Sequence, residues 1–101
     1  MESSSTIAAS DIKQMVKMFR AIANESRLKI LLLLIEVGSK HVSEIAEELD
    51  LSVSNVSHHM SKLDDLGFVR RERHGKEVYY YLKDACIIDI IERAIRHVNS
   101  E

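Results

Sequence analysis

Between Ser52 and Ser61 the sequence sets short hydrogen-bonding side chains at helical spacing. Ser54, Ser57, His58 and Ser61 recur at i, i+3, i+4 and i+7, which puts them on one face of a helix. Asn55 lies beside them. Hydroxyls, an imidazole and a carboxamide on short stems can enter a groove and reach base edges or phosphate oxygens. The long charged side chains of an ordinary solvated face are missing. Val53, Val56, Met60 and Leu63 recur at i, i+3, i+7 and i+10 and form a buried stripe opposite. Ser52 suits the cap, because its hydroxyl can accept from an amide one turn in. The plainer alternative is a surface helix that happens to be rich in serine.

The elements needed to position such a helix flank it. Ser43–Leu49 reads as a short helix with Ile45, Ala46 and Leu49 inward, and Asp50, Leu51 and Ser52 connect the two. Helix, short turn and second helix make a helix-turn-helix. Asp50 is among the few residues that tolerate the left-handed backbone such turns often need. Gly67 is the expected C-cap of the second helix. Phe68–Arg73 and Val78–Leu82 read as strands around the turn His74-Gly75-Lys76-Glu77. Arg70, Arg71, Arg73 and Lys76 make this hairpin basic, as a wing would be; an ordinary solvated hairpin is the alternative. The candidate DNA contacts are Ser52, Ser54, Asn55, Ser57, His58, His59 and Lys62 on the helix. Arg71, Arg73, His74 and Lys76 are the candidates on the wing.

The chain of 101 residues is expected to be one domain, with residues 1–9 a flexible tail and residues 10–101 the folded part. Hydrophobic content of 46% and charged content of 30% fit a globular protein, and with no proline and three glycines helix should dominate. The net charge of −2 argues against indiscriminate nucleic-acid binding, but charge is segregated. Glu44, Glu47, Glu48 and Asp50 cluster before the recognition stretch, and the arginines follow it. A single cysteine, Cys86, excludes an internal disulfide, and a reducing cytoplasm is the expected compartment. The N-terminus lacks a secretory pattern, and the longest apolar run, Ile30–Ile35, is too short to span a bilayer.

A first helix starts at Ser10 or Asp11 with Ile12, Met15, Val16, Phe19 and Ile22 on one stripe. Asn24 caps a second helix that runs to about Val37, apolar all round from Ile30 to Ile35 and therefore central. A last helix runs from near Asp84 to about Asn99. Its arc of Ile87, Ile88, Ile90, Ile91, Ala94, Ile95 and Val98 covers nearly half the circumference, enough to serve its own domain and a second subunit. The expected fold is mainly α with a β-hairpin wing. It is a winged helix-turn-helix of five helices and two strands, a homodimer through its first and last helices. It would read near-palindromic double-stranded operator DNA.

From about residue 11 to its end, the chain resembles the ArsR/SmtB family of winged-helix repressors. Leu51-Ser52-Val53-Ser54-Asn55-Val56-Ser57-His58-His59 is similar to that family's L-S-Q-S-x-V-S-H-H/Q pattern. The Arg73-His74-Gly75-Lys76 turn and the Tyr79-Tyr80-Tyr81-Leu82 strand resemble it too. The resemblance implies a dimer that represses by occupying an operator and is released by an inducer, with Ser54, Ser57 and His58 as base or backbone contacts. Val53 replaces a common glutamine. Valine can touch a thymine methyl but cannot make a bidentate contact to adenine.

The family also carries metal sites at different places. One uses Cys-x-Cys at the start of the helix-turn-helix; here His41-Val42-Ser43 has no cysteine. Another, on the last helix, has the pattern D-x-H, ten residues, then H-x-x-H/E. Asp84 and His97 match it, Cys86 replaces a histidine, and Ser100 stands where the fourth ligand is expected, with Glu101 next. The resemblance thus implies Asp84, Cys86, His97 and Glu101 as ligands. Thiolate, imidazole and carboxylate together favour zinc, cobalt or nickel. Cys86 and His97 project from one side of the helix but lie about 16 Å apart along it. Zinc–ligand bonds are only about 2.0–2.3 Å, so such a site exists only between antiparallel last helices of a dimer. Each residue also has a simpler role: Asp84 as N-cap, Cys86 as a small hydrophobe, His97 as partner of the helix dipole. Cys86 as a redox sensor and the winged helix as a protein-interaction module are the alternatives. The histidines form no catalytic spacing with Cys86, and no phosphate-binding glycine loop appears, so no enzyme is expected.

Overall fold

The computed structural model describes residues 7–100. Within them lie five helices: α1 (Ala9–Ile22), α2 (Glu25–Val37), α3 (Val42–Leu49), α4 (Val53–Asp65) and α5 (Ala85–Asn99). Three strands, β1 (Ser39–His41), β2 (Val69–His74) and β3 (Glu77–Leu82), form one antiparallel sheet in the order β1-β3-β2. The sequence pattern predicts two strands; β1 is the addition. Its three residues, Ser-Lys-His, carry no strand pattern of their own. Pairing imposes the extended conformation, with Ser39, Lys40 and His41 opposite Tyr81, Tyr80 and Tyr79.

Helix α2 is the centre. Ile30, Leu31, Leu33 and Leu34 are buried, and they meet Ile45 and Ala46 of α3, Val56, Met60 and Leu63 of α4, Tyr80 of β3, and Ile87 and Ile91 of α5 in one cluster. Asn24 caps α2, its Oδ1 accepting from the Arg27 amide at 2.9 Å. Helix α1 begins at Ala9, with no side-chain cap, rather than at Ser10 or Asp11. Its stripe of Ile12, Met15, Val16 and Phe19 is not buried; Phe19 is 46% exposed.

The helix-turn-helix closes through paired backbone bonds. The Leu51 amide donates to the Ala46 carbonyl (2.9 Å) and that of Asp50 to the Glu47 carbonyl (3.3 Å). Asp50 takes φ 56°, ψ 47°, the left-handed step that ends α3. The same double closure ends α4, where the Phe68 amide bonds the Leu63 carbonyl (3.0 Å) and the Gly67 amide that of Asp64 (2.9 Å). The wing hairpin turns on Gly75 and Lys76 alone, so His74 and Glu77 are already paired strand residues. Gly75 supplies φ +65°. No helix among the described residues is long and apolar enough to cross a membrane.

Candidate nucleic-acid interface and last-helix ligand set

The Ser52 hydroxyl accepts from the Asn55 amide at 3.1 Å and so starts α4 as expected. It also lies 3.4 Å from the Ser54 hydroxyl. Beyond this cap Ser54, Asn55, Ser57, His58, Ser61 and Lys62 are all exposed, while Val56, Met60 and Leu63 are fully buried. Val53 leaves the expected buried stripe and is 52% exposed. As the first helical residue it lies a turn ahead of the packed part, so its methyls open beside the polar face.

His59 is separated from this face. Its Nδ1 lies 3.3 Å from Nη1 of Arg27, which makes the ring the acceptor when neutral. Burial, then the positive charge of Arg27, His58 and Lys62, holds the ring below the ordinary histidine pKa. Arg27 also donates through Nε to the Ala21 carbonyl (2.9 Å) and through Nη2 to that of Arg20 (3.5 Å). One guanidinium therefore ties the end of α1 to the middle of α4. Helical pattern does not single out Arg27, but its position does carry a signal. A cation in the first turn of a helix opposes the helix dipole, so it needs partners elsewhere.

On the wing, Arg70, Arg71, Arg73, His74 and Lys76 are exposed. Arg71 lies 3.9 Å from Asp64 at the end of α4, and Arg73 reaches the Gly75 carbonyl at 3.5 Å. His74 meets Glu72 at 3.2 Å and stacks edge-on to Tyr79, whose ring meets His41 of β1 in the same way on centroids 5.2 Å apart. The wing thus presents three arginines and a lysine beside the polar face of α4.

In α5, Asp84 is the N-cap: its Oδ1 accepts from the amides of Cys86 (3.0 Å) and Ile87 (3.2 Å). Oδ2 makes neither bond. Cys86 and His97 are exposed. Among the described residues no three His, Cys, Asp or Glu side chains of one protomer could hold a metal together, as the helical spacing requires. Helix α5 ends at Asn99, and Ser100 is extended (φ −78°, ψ 130°). Glu101, the remaining expected ligand, lies outside the described residues. The donor types of Asp84, Cys86 and His97 fit a borderline transition metal.

A helix-turn-helix with a basic wing defines a winged-helix regulator. The arsR family of bacterial regulatory proteins matches residues 24–71. The chain is 34% identical over 91 residues to the cadmium resistance transcriptional regulatory protein CadC of Listeria innocua, covering 90% of this chain and 76% of that one. It is 36% identical over 84 residues to the arsenical resistance operon repressor of Escherichia coli, covering 80% and 72%. The homodimeric winged helix-turn-helix DNA-binding domain from Mycobacterium bovis superposes with a TM-score of 0.82 at 25% identity, covering 92% of this chain and 85% of that one. The chain belongs to the ArsR family.

Proposed function

We propose that the chain is a homodimeric transcriptional repressor that binds near-palindromic operator DNA and is released by a transition metal, zinc, cobalt or nickel, held between the α5 helices. The observation that carries the DNA half is the exposed face of Ser54, Asn55, Ser57 and His58 beside the exposed arginines of the wing. Short polar groups on α4 read the major groove, Val53 offers methyls to a thymine, and Arg71, Arg73 and Lys76 hold backbone phosphates. Ser52 and His59 serve the interface through the cap and the Arg27 contact. His74 orients the wing tip through Glu72 and Tyr79.

The metal half rests on half-buried Asp84 and exposed Cys86 and His97, whose separation suits a site completed by a second copy. The names of the cadmium and arsenical relatives support an inducer of this chemical kind. A bound ion would supply a coordinate link across the dimer. Asp84 keeps Oδ1 on the α5 amides, which leaves Oδ2 to a metal; Cys86 and His97 present soft and borderline donors at opposite ends of the helix. A ligand that favours one spacing of the two subunits shifts the population of DNA-competent dimers.

The test is titration of reduced protein with Co(II), with operator binding followed in parallel. The expected result is a sulfur-to-cobalt charge-transfer band that vanishes in His97→Ala, with metal-induced loss of DNA affinity. DNA binding without tight Co(II), Zn(II) or Ni(II) binding would sink the metal half and leave a repressor with a thiol or small-molecule inducer. Loss of duplex binding itself would revive a protein-interaction module.

A further inference from the structure

A cleft of about 640 Å³ separates α1 from the end of α4, with the start of α2 at its inner end. Its lining combines two chemistries. Ile12, Val16, Ala21 and Leu66 are apolar; Lys13, Lys17, Arg20, Arg27 and Lys62 are cationic, against one acid, Asp65. Outside the cleft, among the described residues, Lys29, Lys40, Arg71 and Arg93 each face a carboxylate, whereas Arg70, Arg73, Lys76, Lys83 and Arg96 do not. Among the described residues, Lys13, Lys17, Arg20 and Lys62 have no such partner. Arg27 spends its donors on the carbonyls of Arg20 and Ala21 and on His59. It fixes the inner wall and leaves the other four cations to a ligand.

We infer that this cleft is an effector site for a small amphipathic organic anion, with a carboxylate or sulfonate head and an aromatic or medium-length aliphatic body. The volume lies within the range of small-molecule sites, which combine apolar lining with a few convergent polar groups. A bare inorganic anion would leave the apolar lining unused. A second copy docking its own α1 here would bring Lys13, Lys17 and Arg20 against the same charges. The site is separate from the α5 ligand set and does not depend on it. Its walls are the recognition helix and α1, whose exposed apolar stripe meets the cleft at Ile12 and Val16. Occupancy therefore acts on both.

The experiment is calorimetric titration of the full-length protein with sodium decanoate below its micelle concentration, with decanol and inorganic phosphate as controls. Saturable binding is expected, one decanoate per protomer, with both controls at least about tenfold weaker. Lys17→Glu with Arg20→Glu should weaken decanoate by about tenfold or more, whereas Lys29→Glu, an exposed cation outside the cleft, should change it less than about twofold. These side chains are exposed, and circular dichroism checks that the variants fold. Absence of saturable decanoate binding, equal affinity in the double variant, or phosphate binding as tightly as decanoate would each overturn the inference. A double variant that loses affinity for duplex DNA, in a protein that never bound decanoate, would reassign the cations to the nucleic acid.

Discussion

His58 projects into solvent beside Ser54 and Ser57, while His59, one residue on, turns to Arg27. Replacing Ser57 and His58 together by alanine should therefore cost operator affinity at least about tenfold, since each good base contact is worth roughly 1–3 kcal/mol. Thermal stability should hold. Fluorescence anisotropy and a melting curve distinguish the two, and unchanged affinity would remove α4 from the interface. His59 has a different signature. Its pKa lies below the ordinary 6.5, so the unfolded chain takes up a proton that the folded chain resists. Stability should fall as pH drops through 6.5 and level off once the folded ring is protonated. A His59→Gln variant should show a flatter acid limb in its melting temperatures; an identical limb would refute the assignment. The polar face and the core stripe are legible in the sequence because helical period alone sorts those positions. The split between His58 and His59 is not, because it depends on where Arg27 reaches, and no local pattern encodes a contact 32 residues away.

At the scale of elements, the helix-turn-helix, the wing and α5 are legible because each carries its own punctuation: Asp50, Gly67, Gly75 and the cap at Asp84. Strand β1 is not, since its conformation comes from Tyr79–Tyr81 across the ladder rather than from Ser39–His41. The start of α1 escapes the sequence for a related reason. Ser10 and Asp11 look like caps but lie inside the first turn, and Ala8 begins the helix through its carbonyl, which accepts from Ile12. The wing gives a direct test. Arg71→Ala with Arg73→Ala should weaken binding to all duplexes alike. The slope of log affinity against log salt should fall by about 0.9 for each phosphate that is no longer neutralised. An unchanged slope would mean that the arginines do not touch the backbone.

As a whole the protomer is elongated, 52 × 35 × 20 Å, with a Cα radius of gyration of 15.3 Å. A compact chain of 100 residues has about 13 Å. The excess accompanies the two terminal helices. Ile12, Met15, Val16 and Phe19 on α1 and Ile95 and Val98 on α5 are exposed, Val98 by 73%. Large apolar patches of this kind mark interaction surfaces. Phe19→Asp should convert the proposed dimer to a monomer in sedimentation and abolish tight operator binding, because two half-sites are then no longer held together. A dimeric Phe19→Asp protein would exclude α1 from the interface.

The third strand has a mechanical consequence. His41 ends β1 and is at the same time the residue that begins α3, and β1 is bonded along its length to the wing strand β3. Wing and helix-turn-helix are therefore one jaw, with no hinge between its two teeth. In the dimer proposed above, two such jaws would form a caliper set by the gap between them. Inserting base pairs between the half-sites should be penalised sharply. An inducer of the proposed kind would then need to loosen no tooth to free the DNA; a small change in the gap would be enough.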